Sequence, residues 1–422
     1  MNHKLLIVCF SFPPSPGIGG RRSAKFAKYL AKKGDEVFVI QAKNPYQNES
    51  PWLKDVENNN WIKRFELPLN YPVEFIIPPK TFAGKLRYRL YNYYFTIFYA
   101  KKNRYDYSIF WNKNYLEKAE GLILKYRINN VLVSGPPFYY AHCITRLKDT
   151  FPDLNIIIDF RDPWIGSPYY GMSNLKKNQQ QHEIKLFNEL FLKANFFTGP
   201  NEFLLNRQKQ FIYETNSRGA IFVEIPHAFD TDEINFSTQL EPKKKSDKIK
   251  MVYGGQFYPG TELILKALSS LLTKLKTNNS TLYSKLQLEF YVPETDRISY
   301  FTEHAQILQI SKPIGNEIMA KINEADYCLI FLAEHNKDYK TTKFLEYAVL
   351  RKPFILLGER GHVAEFVEQA RLGKAYDAES IFDLEKLLLD SEGYIKNTFN
   401  ATYNLDNFSF EIVIEKLRAL LI

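Results

Sequence analysis

The chain has 422 residues, 45% of them hydrophobic and 24% charged. That length exceeds one typical domain, and that balance points to a globular rather than a disordered protein. A formal net charge of +9 favours anionic partners such as nucleotide phosphates or anionic lipid, but the basic residues are spread along the chain, so no nucleic-acid role is expected.

Lys4–Phe10 is a short apolar run of the kind buried in a parallel sheet. Ser11–Gly20 is a Pro/Gly loop. Arg22–Lys33 has helical period and ends at Gly34, and Glu36–Ile40 reads as the next strand. This strand–loop–helix–strand start implies a right-handed parallel unit. The pattern returns with strand Asn130–Ser134, helix Phe138–Asp149 and strand Asn155–Asp159. It continues through Asn195–Thr198, helix Glu202–Phe211 and Ala220–Ile225.

Residues 231–248 are polar and read as a linker after a first domain of residues 1–230. The alternation then restarts over residues 249–403. Its strands are expected at Ile249–Tyr253, Leu286–Val292, Tyr327–Leu332 and Phe354–Leu357. Helices are expected at Thr261–Lys276, Asn316–Glu324, Thr342–Leu350, Ser380–Leu389 and Gly393–Tyr403. A tail over 404–422 contains an amphipathic helix, Phe408–Leu421, expected to return towards the first domain. The class is α/β: two Rossmann-like, doubly wound domains whose carboxyl edges face a cleft, where ligands bind in such folds.

Cys9, Cys143 and Cys328 lie far apart in apolar contexts with no C-x-x-C spacing, which points to buried thiols in a reducing compartment. The apolar run after Lys4 is short, so no secretory leader is expected, and no stretch reaches the roughly 18–20 apolar residues of a membrane span. The expected location is cytoplasmic, with peripheral attachment to the inner face of the cell membrane as an open addition.

The segment Tyr339–Ala348 carries the densest chemistry. Thr341 or Thr342 can cap a helix whose free N–H groups and partial positive charge are joined by the full charge of Lys343. Glu346 shares a face with Lys343 at i+3. A phosphate at the helix start and a ribose hydroxyl on Glu346 would use all of these groups. The alternative is an ordinary capped helix with a local Lys–Glu pair. No His/Cys/Asp cluster has metal-ligand spacing, so no metal is expected, and Gly17-x-Gly-Gly20 is not the NAD fingerprint.

Several segments together resemble a family. They are Phe12-Pro-Pro-Ser-Pro-Gly-Ile-Gly-Gly20 with Ala24–Val37, Ser134-Gly-Pro-Pro-Phe138, Ile158-Asp-Phe-Arg-Asp-Pro-Trp164, Ile225-Pro-His-Ala-Phe-Asp230, Tyr253-Gly-Gly-Gln-Phe-Tyr258 and Lys343-Phe-Leu-Glu-Tyr-Ala348. In this order they resemble the nucleotide-sugar glycosyltransferases of the GT-B fold. The group they are most similar to is the large retaining family of bacterial polysaccharide and lipopolysaccharide synthesis. The resemblance implies transfer of a hexose from a nucleotide diphosphate sugar to a glycan or lipid-linked acceptor, with no cofactor beyond that co-substrate.

It also implies roles. Gly19, Gly20 and Gly255 would let the backbone approach the donor diphosphate. Lys343, Thr341 and Thr342 would bind phosphate, and Glu346 the ribose. Asp338, eight residues before Glu346, stands where many members have an acid for the donor sugar. Many members also carry an Arg and a Lys after the glycines that open the second domain. Gln256–Thr261 supplies neither here, and Arg360 is a candidate substitute.

Asp159, Arg161 and Asp162 follow an apolar strand, and three charges there are not expected in a core. One carboxylate would orient the acceptor hydroxyl while Arg161 holds phosphate; the alternative is an Asp–Arg ion pair within a loop. Arg21 and Arg22 are further candidates for the diphosphate. His142 and His227 are read as acceptor or hinge residues, or as packing histidines.

Lys80–Arg104 interleaves basic residues with an aromatic run. It suits an anionic membrane surface, or else a helix whose aromatics are core. Other functions on the same architecture are a nucleotide-sugar epimerase and a non-catalytic partner subunit.

Overall fold

A computed structural model describes residues 2–46, 48–100, 102–167, 172–213, 219–238, 247–293, 296–313, 317–338, 342–400 and 402–422. The chain divides into two compact units. The first comprises Met1–Pro226 with Phe410–Ile422, and the second His227–Ser409.

The first unit is built on seven parallel strands: β1 Lys4–Cys9, β2 Glu36–Ala42, β3 Ile62–Leu67, β4 Asn130–Gly135, β5 Asn155–Phe160, β6 Phe196–Gly199 and β7 Ile221–Glu224. Their order in the sheet is β3-β2-β1-β4-β5-β6-β7. The central strands are buried on both faces, which is why they read as continuous apolar runs. Helix Arg21–Lys32 is buried along almost its whole length. Its outer side is covered by helix Phe410–Arg418, where Phe410 stacks on Tyr29 at 5.5 Å and Arg418 Nε donates to buried Asp35 at 2.8 Å.

The second unit repeats the plan with six parallel strands: β8 Ile249–Gly254, β9 Leu286–Tyr291, β10 Leu308–Ser311, β11 Tyr327–Leu332, β12 Phe354–Gly358 and β13 Gly373–Tyr376. Their order is β10-β9-β8-β11-β12-β13. Helix Glu262–Asn278 packs Ile264, Leu265, Leu268, Leu271, Leu272 and Leu275 on one face of this sheet. Helices Thr342–Val349 and His362–Gln369 pack on the other.

Several elements differ from the sequence expectations, and the expected helix Gly393–Tyr403 is observed as Ser391–Asn397. The polar stretch read as linker holds a helix, Thr231–Thr238, whose Asp232 and Glu233 sit in the first turn where the helix dipole favours acids. The expected single helix Ser380–Leu389 begins as a 3-10 turn and becomes α-helical at Leu384. Helix Phe82–Phe98 is neither wholly core nor wholly outside: Gly84 and Phe95 are buried, while most of its other side chains are exposed. Among the described residues no helix is long and apolar enough to cross a membrane.

Candidate functional site

In the second unit the strand order reverses between β8 and β11, and α/β sheets bind ligands beyond the carboxyl ends of the strands at such a point. Gly254 ends β8, Gly255 follows it, and helix Thr342–Val349 starts after β11. Tyr347, one turn into that helix and fully buried, donates from its hydroxyl to the Gly254 carbonyl at 3.1 Å, which ties the helix to the glycine turn.

Lys343 is held over this turn. Its Nζ lies 5.6 Å from the centroid of the Tyr253 ring, and a Cβ on residue 255 would lie 2.2 Å from it. Only glycine at 255 leaves that space for the ammonium. Burial lowers the Lys343 pKa to about 8, against the opposing pull of Glu346 one turn along. Among the described residues no carboxylate forms a salt bridge with Nζ. Removing an ammonium from water is costly, and an arriving anion would stabilise it beyond the pull of Glu346. Thr341 lies outside the described residues. Thr342 begins the helix, but its side chain also lies outside them, so the expected caps receive no structural account.

Asp338 follows β11 and accepts from the His362 N–H at 3.0 Å, at the start of helix His362–Gln369. Its carboxylate is thus already engaged at a helix N-terminus in the same loop region. Arg360, the candidate substitute for the missing basic pair, donates to Glu368 at 2.5 Å and to the Ala375 carbonyl on β13 at 3.3 Å. Its guanidinium is committed there, at the edge of the sheet.

In the first unit the strand order reverses between β1 and β4. Gly19 and Gly20 close a 3-10 turn after β1 that leads into helix Arg21–Lys32. Arg161 donates from Nη1 to the Gly19 carbonyl and from Nε to Asp162 at 3.3 Å. Arg161, Asp162 and the glycine turn therefore stand together, as a single polar group at the sheet edge. After β4, a Cβ on Gly135 would fall 2.1 Å from the Phe138 ring, which accounts for glycine in Ser134-Gly-Pro-Pro-Phe138.

Of the two readings of Asp159, the structure favours the Asp–Arg ion pair, made with Arg22 and not with Arg161. Asp159 is fully buried and grips Arg22 bidentately, with Arg22 Nε to Oδ2 at 3.0 Å and Nη2 to Oδ1 at 2.9 Å. Ser134 Oγ and Thr198 Oγ1 donate to the same carboxylate at 3.0 and 2.9 Å. Burial alone would raise the Asp159 pKa, but the Arg22 charge and these hydrogen bonds outweigh it and hold the group below the usual range. Arg22 also donates to the carbonyls of Ile225 and Pro226 at 2.8 and 3.3 Å. Both side chains are thus structural, joining β4, β5, β6 and the segment after β7. Arg21 is likewise buried, with its guanidinium between the rings of Trp52 and Phe410. Neither arginine is placed to meet a ligand.

His142 pairs through Nε2 with Glu189 Oε2 at 2.5 Å, on helix Lys177–Leu190, which favours its packing reading. His227 is half-buried and is the first residue of the second unit. Sequence reasoning missed Tyr253 and Tyr347, which shape the Lys343 site. It also missed Asp106, whose Oδ2 accepts from the N–H groups of Phe138 and Tyr139 at 2.8 and 2.9 Å. Asp106 lies 32 residues from Phe138, and no local pattern marks it.

The chain is similar in structure to a glycosyltransferase from Rickettsia africae, with a TM-score of 0.62 and 14% identity over 99% of this chain and 98% of the other. The fold is GT-B. WaaG, a glycosyltransferase involved in lipopolysaccharide biosynthesis, aligns with a TM-score of 0.58 and 12% identity over 98% of both chains. An E. coli trehalose-6-phosphate structure bound with UDP-2-fluoro glucose aligns with a TM-score of 0.64 and 11% identity over 99% of this chain and 98% of that one. No family model matches the sequence, and no curated protein matches it. The GT-B arrangement agrees with the resemblance read from the motifs, and with both switch-point turns.

Proposed function

We propose that this chain is a nucleotide-sugar glycosyltransferase. It moves a hexose, with retention and without a metal, onto a glycan or lipid-linked acceptor in cell-surface polysaccharide or glycoconjugate synthesis. The observation that carries the reading is the Lys343 ammonium, desolvated over the Gly254–Gly255 turn at the switch point of a GT-B sheet. The donor diphosphate would be its anionic partner beside Glu346.

In this reading Lys343 and the N-terminus of its helix stabilise charge on the departing nucleoside diphosphate, the main catalytic demand of the reaction. Glu346 takes the ribose hydroxyls. Asp338 meets the donor sugar by exchanging its helix-capping bond. The leaving diphosphate accepts the acceptor proton, so no protein base is essential. Arg161 and Asp162, beside Gly19, serve the first unit's side of the reaction. The similarity to structures described as glycosyltransferases supports this assignment.

Thermal-shift screening against UDP, GDP, ADP, CMP and their sugars, without added metal, tests it. A selective rise with one diphosphate that disappears in Lys343→Ala is expected, together with loss of transfer in Lys343→Ala and Glu346→Ala. Full activity of both variants would overturn the site. The chain is also similar, at a TM-score of 0.51 and 9% identity, to a putative UDP-N-acetylglucosamine 2-epimerase from Listeria monocytogenes. Conversion of a nucleotide sugar without any acceptor would favour that second activity.

A further inference from the structure

Helix Phe82–Phe98 has two apolar faces, and among the described residues only one of them is packed. On the inner face Phe95 is buried against Tyr71, Phe75 and Phe110, with ring centroids 5.4–5.6 Å apart. Gly84 brings the helix close to Pro79, where a Cβ would lie 2.8 Å from the Pro79 ring. On the opposite face Phe82, Leu86, Leu90, Tyr93 and Ile97 fall within an arc of about 80° at 3.6 residues per turn. Their exposures are 84, 49, 61, 69 and 49%. Isolated exposed apolar residues need no explanation, but a continuous stripe along four turns does.

The charges beside the stripe select its partner. No Asp or Glu occurs between Glu74 and Asp106, whereas Lys80, Lys85, Arg87, Arg89, Lys101, Lys102 and Arg104 all do. Glu74 is taken by Arg87 at 2.6 Å. Lys80, Lys85 and Arg89 are exposed, and among the described residues none forms an ion pair. Two copies of such a face would repel each other, and an acidic surface would attract it. Long basic side chains flanking half-exposed aromatics are suited to a headgroup layer, with the rings at the acyl boundary and the ammonium and guanidinium groups at the phosphates.

We propose that this helix is an in-plane anchor that seats the first unit on an anionic lipid bilayer. The inference does not depend on the transfer reaction or on the Lys343 site. The test is co-sedimentation of the full chain with vesicles of mixed phosphatidylglycerol and phosphatidylcholine, and with phosphatidylcholine alone. Binding to the mixed vesicles that is released by salt, with little binding to the neutral ones, is expected. Lys85→Gln with Arg89→Gln should weaken binding about fivefold per charge. Phe82→Ser with Leu90→Ser and Tyr93→Ser should weaken it on the order of a hundredfold. These side chains are exposed, so an unchanged circular-dichroism spectrum and melting temperature are expected and certify the fold. Wild-type protein left in the supernatant at low salt would overturn the proposal. So would a stripe variant that binds like wild type, or a solution dimer that dissociates in the stripe variant without any lipid binding.

Discussion

The ammonium nitrogen of Lys343 occupies the volume that a side chain on residue 255 would need, 2.2 Å from where its Cβ would stand. Residues 88 positions apart in sequence therefore share one small space, which the Tyr253 ring also borders. Gly255→Ala should displace the flexible end of Lys343 and also press on the buried Tyr253 ring, whose Oη and Cζ would lie 2.6 and 2.8 Å from the new Cβ. The expected outcome is a drop in nucleoside diphosphate affinity of about tenfold, the scale of one charge-assisted hydrogen bond, together with a lower melting temperature from the Tyr253 overlap. Titration calorimetry with the nucleotide selected by the thermal-shift screen measures it.

The same lysine sets a pH dependence. With a pKa of about 8 it is charged at neutral pH and loses its proton as the pH rises through 8. Diphosphate binding to the free protein should weaken over that interval, and binding near pH 8 should take up a proton. Calorimetry in two buffers of different ionisation enthalpy detects the uptake. Lys343→Arg should shift the fall-off well above pH 8, since guanidinium stays charged.

Asp159→Asn leaves Arg22 buried beside a neutral group, and breaking such a pair costs about 3–5 kcal/mol. Urea unfolding should show that loss, and Arg22→Met combined with Asp159→Asn should cost less than the two single changes added. The folded Asp159 pKa lies below its ordinary value of 3.8. Its contribution is therefore complete above that value and is lost as the pH falls through the lower folded one. In Asp159→Asn this acid-side loss should be absent.

Glu183 is buried with Oε2 accepting from Trp164 Nε1 at 2.9 Å. Burial, with a smaller push from Asp106, raises its pKa to about 7, above the ordinary 4.5. The folded state keeps this proton where the unfolded chain has released it. Stability should therefore fall as the pH rises from 4.5 to 7 and then level off. Glu183→Gln keeps an acceptor for Trp164 without the charge. It should be more stable than wild type at pH 8 by roughly 3 kcal/mol, from 1.36 kcal/mol per pKa unit, and no more stable at pH 4.

The sequence was informative where physics is local. Buried parallel strands must be apolar on both faces, so Leu5–Cys9, Val131–Val133, Ile156–Ile158 and Phe354–Leu357 are readable as runs. The strands it did not reveal, β3, β10 and β13, are all sheet edges. Ile62–Leu67 mixes Lys63, Arg64 and Glu66 into both faces, as a strand with one free side can. Helix Thr342–Val349 was legible because Lys343 and Glu346 lie one turn apart. The Asp159 environment was not, because Arg22, Ser134 and Thr198 come from 137, 25 and 39 residues away. A carboxylate at a strand end looks the same in sequence whether it awaits a substrate or is clamped by four donors.

The last residues of the chain belong to the first unit: Phe410 lies on Tyr29, Arg418 on Asp35, and the Leu420 carbonyl accepts from Asn155 at 2.7 Å. On the ribosome, Tyr29 and Asp35 emerge long before their partners exist. The first unit must wait with one helix uncovered while the whole second unit is synthesised, so the unit that starts first is the one finished last.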